Sequence, residues 1–193
     1  MKTASPLPFP RAVLSRWLVF AWVLLCSVPA TAADTSGYRY EDGQILLSLK
    51  PRTPQQMAAF YTGRGFSASM IELLKRQCFI TVFIKNKGRD ILWLDLAQWQ
   101  FANRDGPLTR THRDQWKRTW QKMHIPLAHQ STFRWTLLPE ILDFQPDERE
   151  GGNLVLPRLG KPLRIIARFP TGADRSGPPL TLDIGPLECA VDP

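Results

Sequence analysis

Residues 17–25 (WLVFAWVLL) form an unbroken apolar run, preceded by the positive charges of Lys2, Arg11 and Arg16 and followed by the small residues Ala30, Thr31 and Ala32. A basic start, a short apolar stretch and a small-residue end are the parts of a secretory signal. The run is also too short for a spanning helix, which takes about 20 residues. The expected division is a signal peptide over residues 1–33 and one domain over residues 34–193, about 160 residues, enough to bury a real core. Lipid attachment at Cys26 is disfavoured, because bulky Leu25 stands where such signals take a small residue. The chain is therefore expected to fold outside the cytosol, in the periplasm or beyond.

That destination changes how the cysteines and the charge are read. Cys26 leaves with the signal, and Cys78 and Cys189 remain. An even pair in an oxidising compartment predicts a disulfide. Closing a loop of about 110 residues, it would contribute on the order of 4 kcal/mol through chain entropy. Two separate buried thiols are the competing reading, and no C-x-x-C spacing supports a redox pair. The signal carries three of the 25 basic residues and none of the 17 acidic ones, leaving 22 against 17, a net +5. Basic residues are spread from Arg39 to Arg175 with acids among them, a mixed surface with no basic stripe, so no nucleic-acid partner is expected.

Residues 44–50 (QILLSLK) read as a first strand. Thr53 as cap, Pro54 at the first helical position, Gln56 three residues after the cap and Gly63 at the end describe a short helix. Ser69 with Glu72 starts another, so a helical insert is expected near residues 54–77. From Cys78 the period becomes two. Residues 78–85 (CFITVFIK) and 91–101 (ILWLDLAQWQF), separated by KNKGRD, predict a hairpin of two long strands. Residues 112–124 return to helical spacing, with Thr111 as the cap, His112, Trp116, Trp120 and Met123 on one stripe, and Pro126 as the stop. Residues 131–138 (STFRWTLL), 153–157 (NLVLP), 162–169 (PLRIIARF) and 180–184 (LTLDI) predict further strands. Short strands, proline-rich turns and helices in two connections describe a mainly β chain, a β-sandwich with short helical insertions.

One set of residues carries a family resemblance. Phe83-Ile84-Lys85-Asn86-Lys87-Gly88, then Trp93-Leu94-Asp95-Leu96, then Gln145-Pro146-Asp147-Glu148 and Gly152-Asn153-Leu154-Val155-Leu156-Pro157 together resemble the pattern of small bacterial secreted immunoglobulin-like domains. In those modules a strand ending in Asn is followed by a hairpin, and a turn of Pro, Asp or Gly, and Glu later precedes a short strand ending in Pro. The resemblance runs from Cys78 to Ile184 apart from the helical segment. It implies an immunoglobulin-like β-sandwich and no catalytic residues.

Four constellations are candidates for chemistry. Trp116 and Trp120 with flanking Lys and Arg suit a membrane surface, an anionic lipid or a glycan, and equally suit packing on a sheet. His124, His129 and Met123 offer imidazole and thioether ligands suited to copper, whereas His112 lies more than three turns from His124 on the same helix. Asp90, Asp95, Asp143, Asp147, Glu148 and Glu150 supply carboxylates, several of them in a turn where their acidity would be ordinary. Asp174 and Arg175 occupy a conspicuous loop over residues 168–179, stiffened by Pro178 and Pro179. The sequence shows no nucleophile elbow, H-E-x-x-H or phosphate-cradling glycine loop. The expectation is a non-catalytic protein, without cofactor, that binds or helps assemble another envelope protein. The alternative is a ligand-binding protein for a metal or an anionic lipid or glycan, with contact to a membrane surface; a hydrolase ranks third.

Overall fold

The computed structural model describes residues 37–193, so the expected signal segment lies outside the described residues. The described elements are β1 (Tyr38–Glu41), β2 (Ile45–Arg52), α1 (Pro54–Thr62), α2 (Ala68–Lys75), β3 (Gln77–Asn86), β4 (Leu92–Asp95), a 3-10 turn (Leu96–Gln98), β5 (Gln100–Asn103), β6 (Gly106–Pro107), α3 (Arg113–Lys122), α4 (Leu127–Thr136), β7 (Ile141–Phe144), β8 (Arg149–Pro157), β9 (Leu163–Thr171) and β10 (Gly177–Leu187). The chain is mainly β. Its strands form two antiparallel sheets, one ordered β1-β2-β3-β8 and the other built around β9, which pairs with β10 along one edge and with β5 and β4 along the other.

Alternation aims the first sheet. Ile45, Leu47 and Leu49 of β2 and Ile80, Val82 and Ile84 of β3 are fully buried, and the register pairs Leu47 with Ile84 and Leu49 with Val82. This inner face meets Ile165, Ala167 and Phe169 of β9, Leu94 of β4 and Ile184 of β10 in one core. Part of the outer face is buried as well. Phe79 and Val155 face a second core made by Met57 and Tyr61 of α1, Met70 and Leu74 of α2, and the aromatic residues of α3 and α4. The helices therefore form a third layer over the outer face of the β1-β2-β3-β8 sheet, which explains why β3 reads as a nearly continuous apolar run.

The two long strands expected to pair as a hairpin lie in different sheets. Asn86 ends β3 and is buried; its side-chain amide donates to the carbonyls of Asp90 (2.8 Å) and Phe144 (2.9 Å), and its Oδ1 accepts from Gly88 N (2.9 Å). These bonds fix a corner that carries the chain across to the second sheet. The expected strand over residues 91–101 is also broken, because the Asp95 carboxylate accepts from Ala97 N and caps the 3-10 turn. Asn86→Ala leaves the buried Phe144 carbonyl, and the part-buried Asp90 carbonyl and Gly88 N–H, without this partner, and is expected to lower stability by about 2 kcal/mol in urea unfolding.

Residues 131–138 are not a strand: α4 runs to Thr136. Its β-branched residues are accommodated because the hydroxyls of Thr132 and Thr136 donate back to the carbonyls of Ala128 and Phe133. Phe133 packs against the α3 tryptophans, and tertiary contact outweighs a weak local preference. The predicted Thr53 capping box closes α1 as expected, whereas α3 is capped by His112 rather than Thr111. Residues 168–179 form mostly strand, with five residues between β9 and β10. Pro178 and Pro179 fall on β10 in the register shift between Gly177 and Leu180, where neither is paired with a residue of β9, so the ladder tolerates their missing N–H groups.

Cys78 of β3 and Cys189, just after β10, form the predicted disulfide, with Cα atoms 5.5 Å apart. The same tail is held by Arg158, which donates to Gln77 O and Ala190 O, and by Asp192, whose carboxylate accepts from Gln55 N in the first turn of α1.

Candidate functional site

Helical spacing puts Arg113, Trp116, Lys117 and Trp120 on one face of α3, and Leu127, Gln130, Ser131 and Arg134 on the facing side of α4. These residues, with Phe133 and Leu137, line a cleft of about 270 Å³ between the two helices. The indole rings of Trp116 and Trp120 stack with centroids 5.3 Å apart, and each meets Phe133 edge-on at 5.1 Å. Both rings are buried, 4% and 1% exposed, so they line the interior of the helical layer and do not present an outward face to a membrane. Their Nε1 donors and the Nε of Arg113 are buried without any acceptor among the described residues.

Arg113 is held in place from two sides. Its guanidinium donates to Leu137 O, and its backbone N–H donates to Glu140 Oε1 at 3.1 Å. Glu140 is in turn gripped bidentately by Arg110. Burial pulls the Arg113 pKa below its ordinary value, the Glu140 charge opposes this, and Arg134 and Arg110 add to it. Arg113, Lys117 and Arg134 face one acid, Asp114, across the cleft lining. The cleft is cationic at its rim and apolar beneath.

A second concavity opens where α1 and the end of α4 meet the outer face of the first sheet. It measures about 510 Å³ and includes Met57, Phe60, Trp135, Thr81, Gly151 and Asn153 in its lining. Arg52 Nε donates to Thr81 Oγ1 and Thr81 Oγ1 to Asn153 Oδ1, both at 2.9 Å, so the polar floor is internally tied. Trp135 stands at its side, 84% exposed, and Phe83 lies opposite Gly151 on the uncovered part of the sheet, 36% exposed. Sequence reasoning missed Trp135 because it fell in a segment read as a strand. On the helix, Phe133 points into the core and Trp135 lies outside it.

The other candidates are placed as follows. Arg175 lies over the Trp93 ring, 4.2 Å from its centroid, with Nη1 3.5 Å from Asp95 Oδ2, while Trp93 Nε1 donates to Gly172 O at 2.8 Å. Asp174 accepts from the backbone and hydroxyl of Ser176, and the hydroxyl bond above all holds its carboxyl below the usual range. These residues shape the β9–β10 turn. His129 packs on Phe66, Met123 packs against the helical core, and His124, with φ 56°, ends α3 in the left-handed region. Among the described residues, no group of three His, Cys, Asp or Glu side chains converges as a metal site. Of the acids near the turn, Asp147 pairs with Lys85 at 3.0 Å and Glu148 accepts from Gln145 N at 2.8 Å.

No family model matches the chain, and no curated protein does. Among solved structures it is similar to YcdA, a lipoprotein candidate of Bacillus subtilis, at 14% identity and a TM-score of 0.42, over 78% of this chain and 39% of that one. It is also similar to the YjhA protein of Bacillus subtilis, at 8% identity and a TM-score of 0.39, over 67% of this chain and 76% of that one. The chain thus spans about two fifths of YcdA. Likenesses of this degree carry no argument about function.

Proposed function

We propose that this chain is a non-catalytic protein of the periplasm or cell exterior that binds, or helps assemble, another envelope protein. In this reading the two face-to-face sheets are an immunoglobulin-like sandwich, and the helical layer over one sheet carries the docking surface. The observation behind it is Trp135: a large aromatic ring, 84% exposed, lining a concavity that also includes Gly151, the register partner of the exposed Phe83. An unburied tryptophan in front of a concave surface is characteristic of an interface anchor. The disulfide fits an oxidising compartment.

A photo-crosslinking residue in place of Trp135 is expected to yield one predominant adduct of defined mass in the envelope of the producing cell. The same residue in place of exposed Leu159 is expected to yield none. If the Trp135 position captures nothing beyond the Leu159 control, the reading is abandoned.

A further inference from the structure

The helical layer leaves part of the first sheet's outer face open, and the charges there are mostly of one sign. Leu47, Leu49, Val82 and Ile84 point into the core, so the register places Arg39, Lys50, Arg52, Lys85 and Arg149 on the outer face with one acid of the strands, Glu41. Glu41 is taken by Arg39 and Lys87, and Asp147, in the turn before β8, by Lys85. Lys50 and Arg149 are left without an acid among the described residues. The face ends at β8, an edge strand that pairs with β3 on one side. Asn86 N donates to Glu148 O, and alternate residues of an antiparallel ladder bond the same neighbour, so Ile84 and Val82 bond Glu150 and Gly152. Arg149, Gly151 and Asn153 therefore turn their backbone groups to the free edge. Asn153 O is met there by Leu138 N at 3.1 Å, and Gly151 N–H donates to the carboxylate of its own neighbour, Glu150, at 2.8 Å. The Gly151 carbonyl and the backbone of Arg149 have no partner among the described residues. Two exposed rings flank this opening: Phe83 Cδ2 would lie 3.9 Å from a Cβ on Gly151, and Trp135 lines the same concavity as Gly151. A glycine in an edge strand leaves room for another backbone, and an aromatic ring on a neighbouring strand is suited to cover it.

We infer that the open edge of β8 takes an extended acidic segment of a partner protein, added as a strand beside residues 149–151. An aromatic side chain opposite Gly151 fills the space between Phe83 and Trp135, and an acid two residues away meets Arg149. Backbone pairing supplies affinity, and these two side chains supply specificity. The incoming carbonyl displaces the Glu150 carboxylate from Gly151 N–H, so Glu150 is the group that keeps the edge closed to other chains. The inference rests on the docking role proposed above and adds to it the conformation and the charge of the docked segment.

Selection of random displayed nonapeptides on the purified protein tests it. The expected enrichment is an aromatic residue with an acid two positions away, and the synthetic peptide of that pattern is then the probe in fluorescence polarisation. Methylating the backbone nitrogen of the aromatic residue or of the acid should weaken binding about tenfold, whereas methylating the nitrogen between them should change it less than about threefold. Arg149→Glu should weaken binding about tenfold, and Glu150→Ala should tighten it about threefold, a gain that no loss of folding produces. No enriched peptide, an enriched basic pattern, equal effects at all three nitrogens, or an affinity unchanged by Glu150→Ala would each overturn the inference. Displacement of the peptide by phosphatidylglycerol vesicles would assign the face to a membrane and overturn it as well. Crosslinking of a partner at Trp135 alongside any of these failures leaves the docking role standing, and edge-dependent peptide binding without such capture counts against that role alone.

Discussion

Gly152→Ala is expected to destabilise the protein by about 3–4 kcal/mol, read as a lowered urea midpoint with little change in slope. An added Cβ at this position would lie 2.5 Å from Leu138 N, 2.6 Å from Leu138 Cα and 2.8 Å from Leu137 C. All three are backbone atoms, so no side-chain rotation relieves the clash. Gly152 lies opposite Val82 on the inner face of the first sheet, where a side chain would ordinarily enter the core. Leu138, 1% exposed, packs in that core, and its N–H donates to Asn153 O at 3.1 Å. The alanine therefore displaces the segment that links α4 to β7 and pulls Leu138 out of its packing. Gly151→Ala serves as the control: its Cβ would point to the outer face, 3.0 Å from Val82 O, and a smaller loss is expected.

Loss of the Cys78–Cys189 bond should cost about 4 kcal/mol, because it closes a loop of 111 residues in the unfolded chain. Cys78→Ala with Cys189→Ala, or full reduction, is expected to lower the unfolding midpoint by about 8–16 °C, the shift that such a loss gives a domain of this size. The bond also holds the segment after β10 against β3, alongside the Arg158 contacts. The reduced protein should accordingly lose hydrogen-exchange protection first near Ala190 and in the first turn of α1, where Asp192 bonds Gln55. A reduced form as stable as the oxidised one would show that the tail contacts alone hold this end.

Sequence patterns revealed strands well and their partners poorly. Period two made β3 and β4 visible, but both carry apolar residues on two faces, so the pattern could not say whether they pair. The deciding group was Asn86, a single buried amide whose role depends on Phe144, 58 residues away. The disulfide was readable because the expected signal segment accounts for Cys26 and leaves two cysteines. The end of α3 was marked by Pro126, whereas α4 was hidden by Thr132, Phe133, Trp135 and Thr136, residues that favour strands until Phe133 meets the α3 indoles. The tryptophan stripe was seen, but burial is a property of the partner helix that completes the cleft. Trp135 was legible only once the helical register was known.

The order of strands along the chain has one more consequence. The first sheet takes β1, β2 and β3, then waits for β8, while β4 to β7 are laid into the second sheet in between and β9 and β10 finish it. The two sheets are interleaved in sequence. No single cut in the backbone separates one sheet from the other, so neither half is a module that evolution or an engineer can excise, and the helical layer with its cleft is inherited only with the whole.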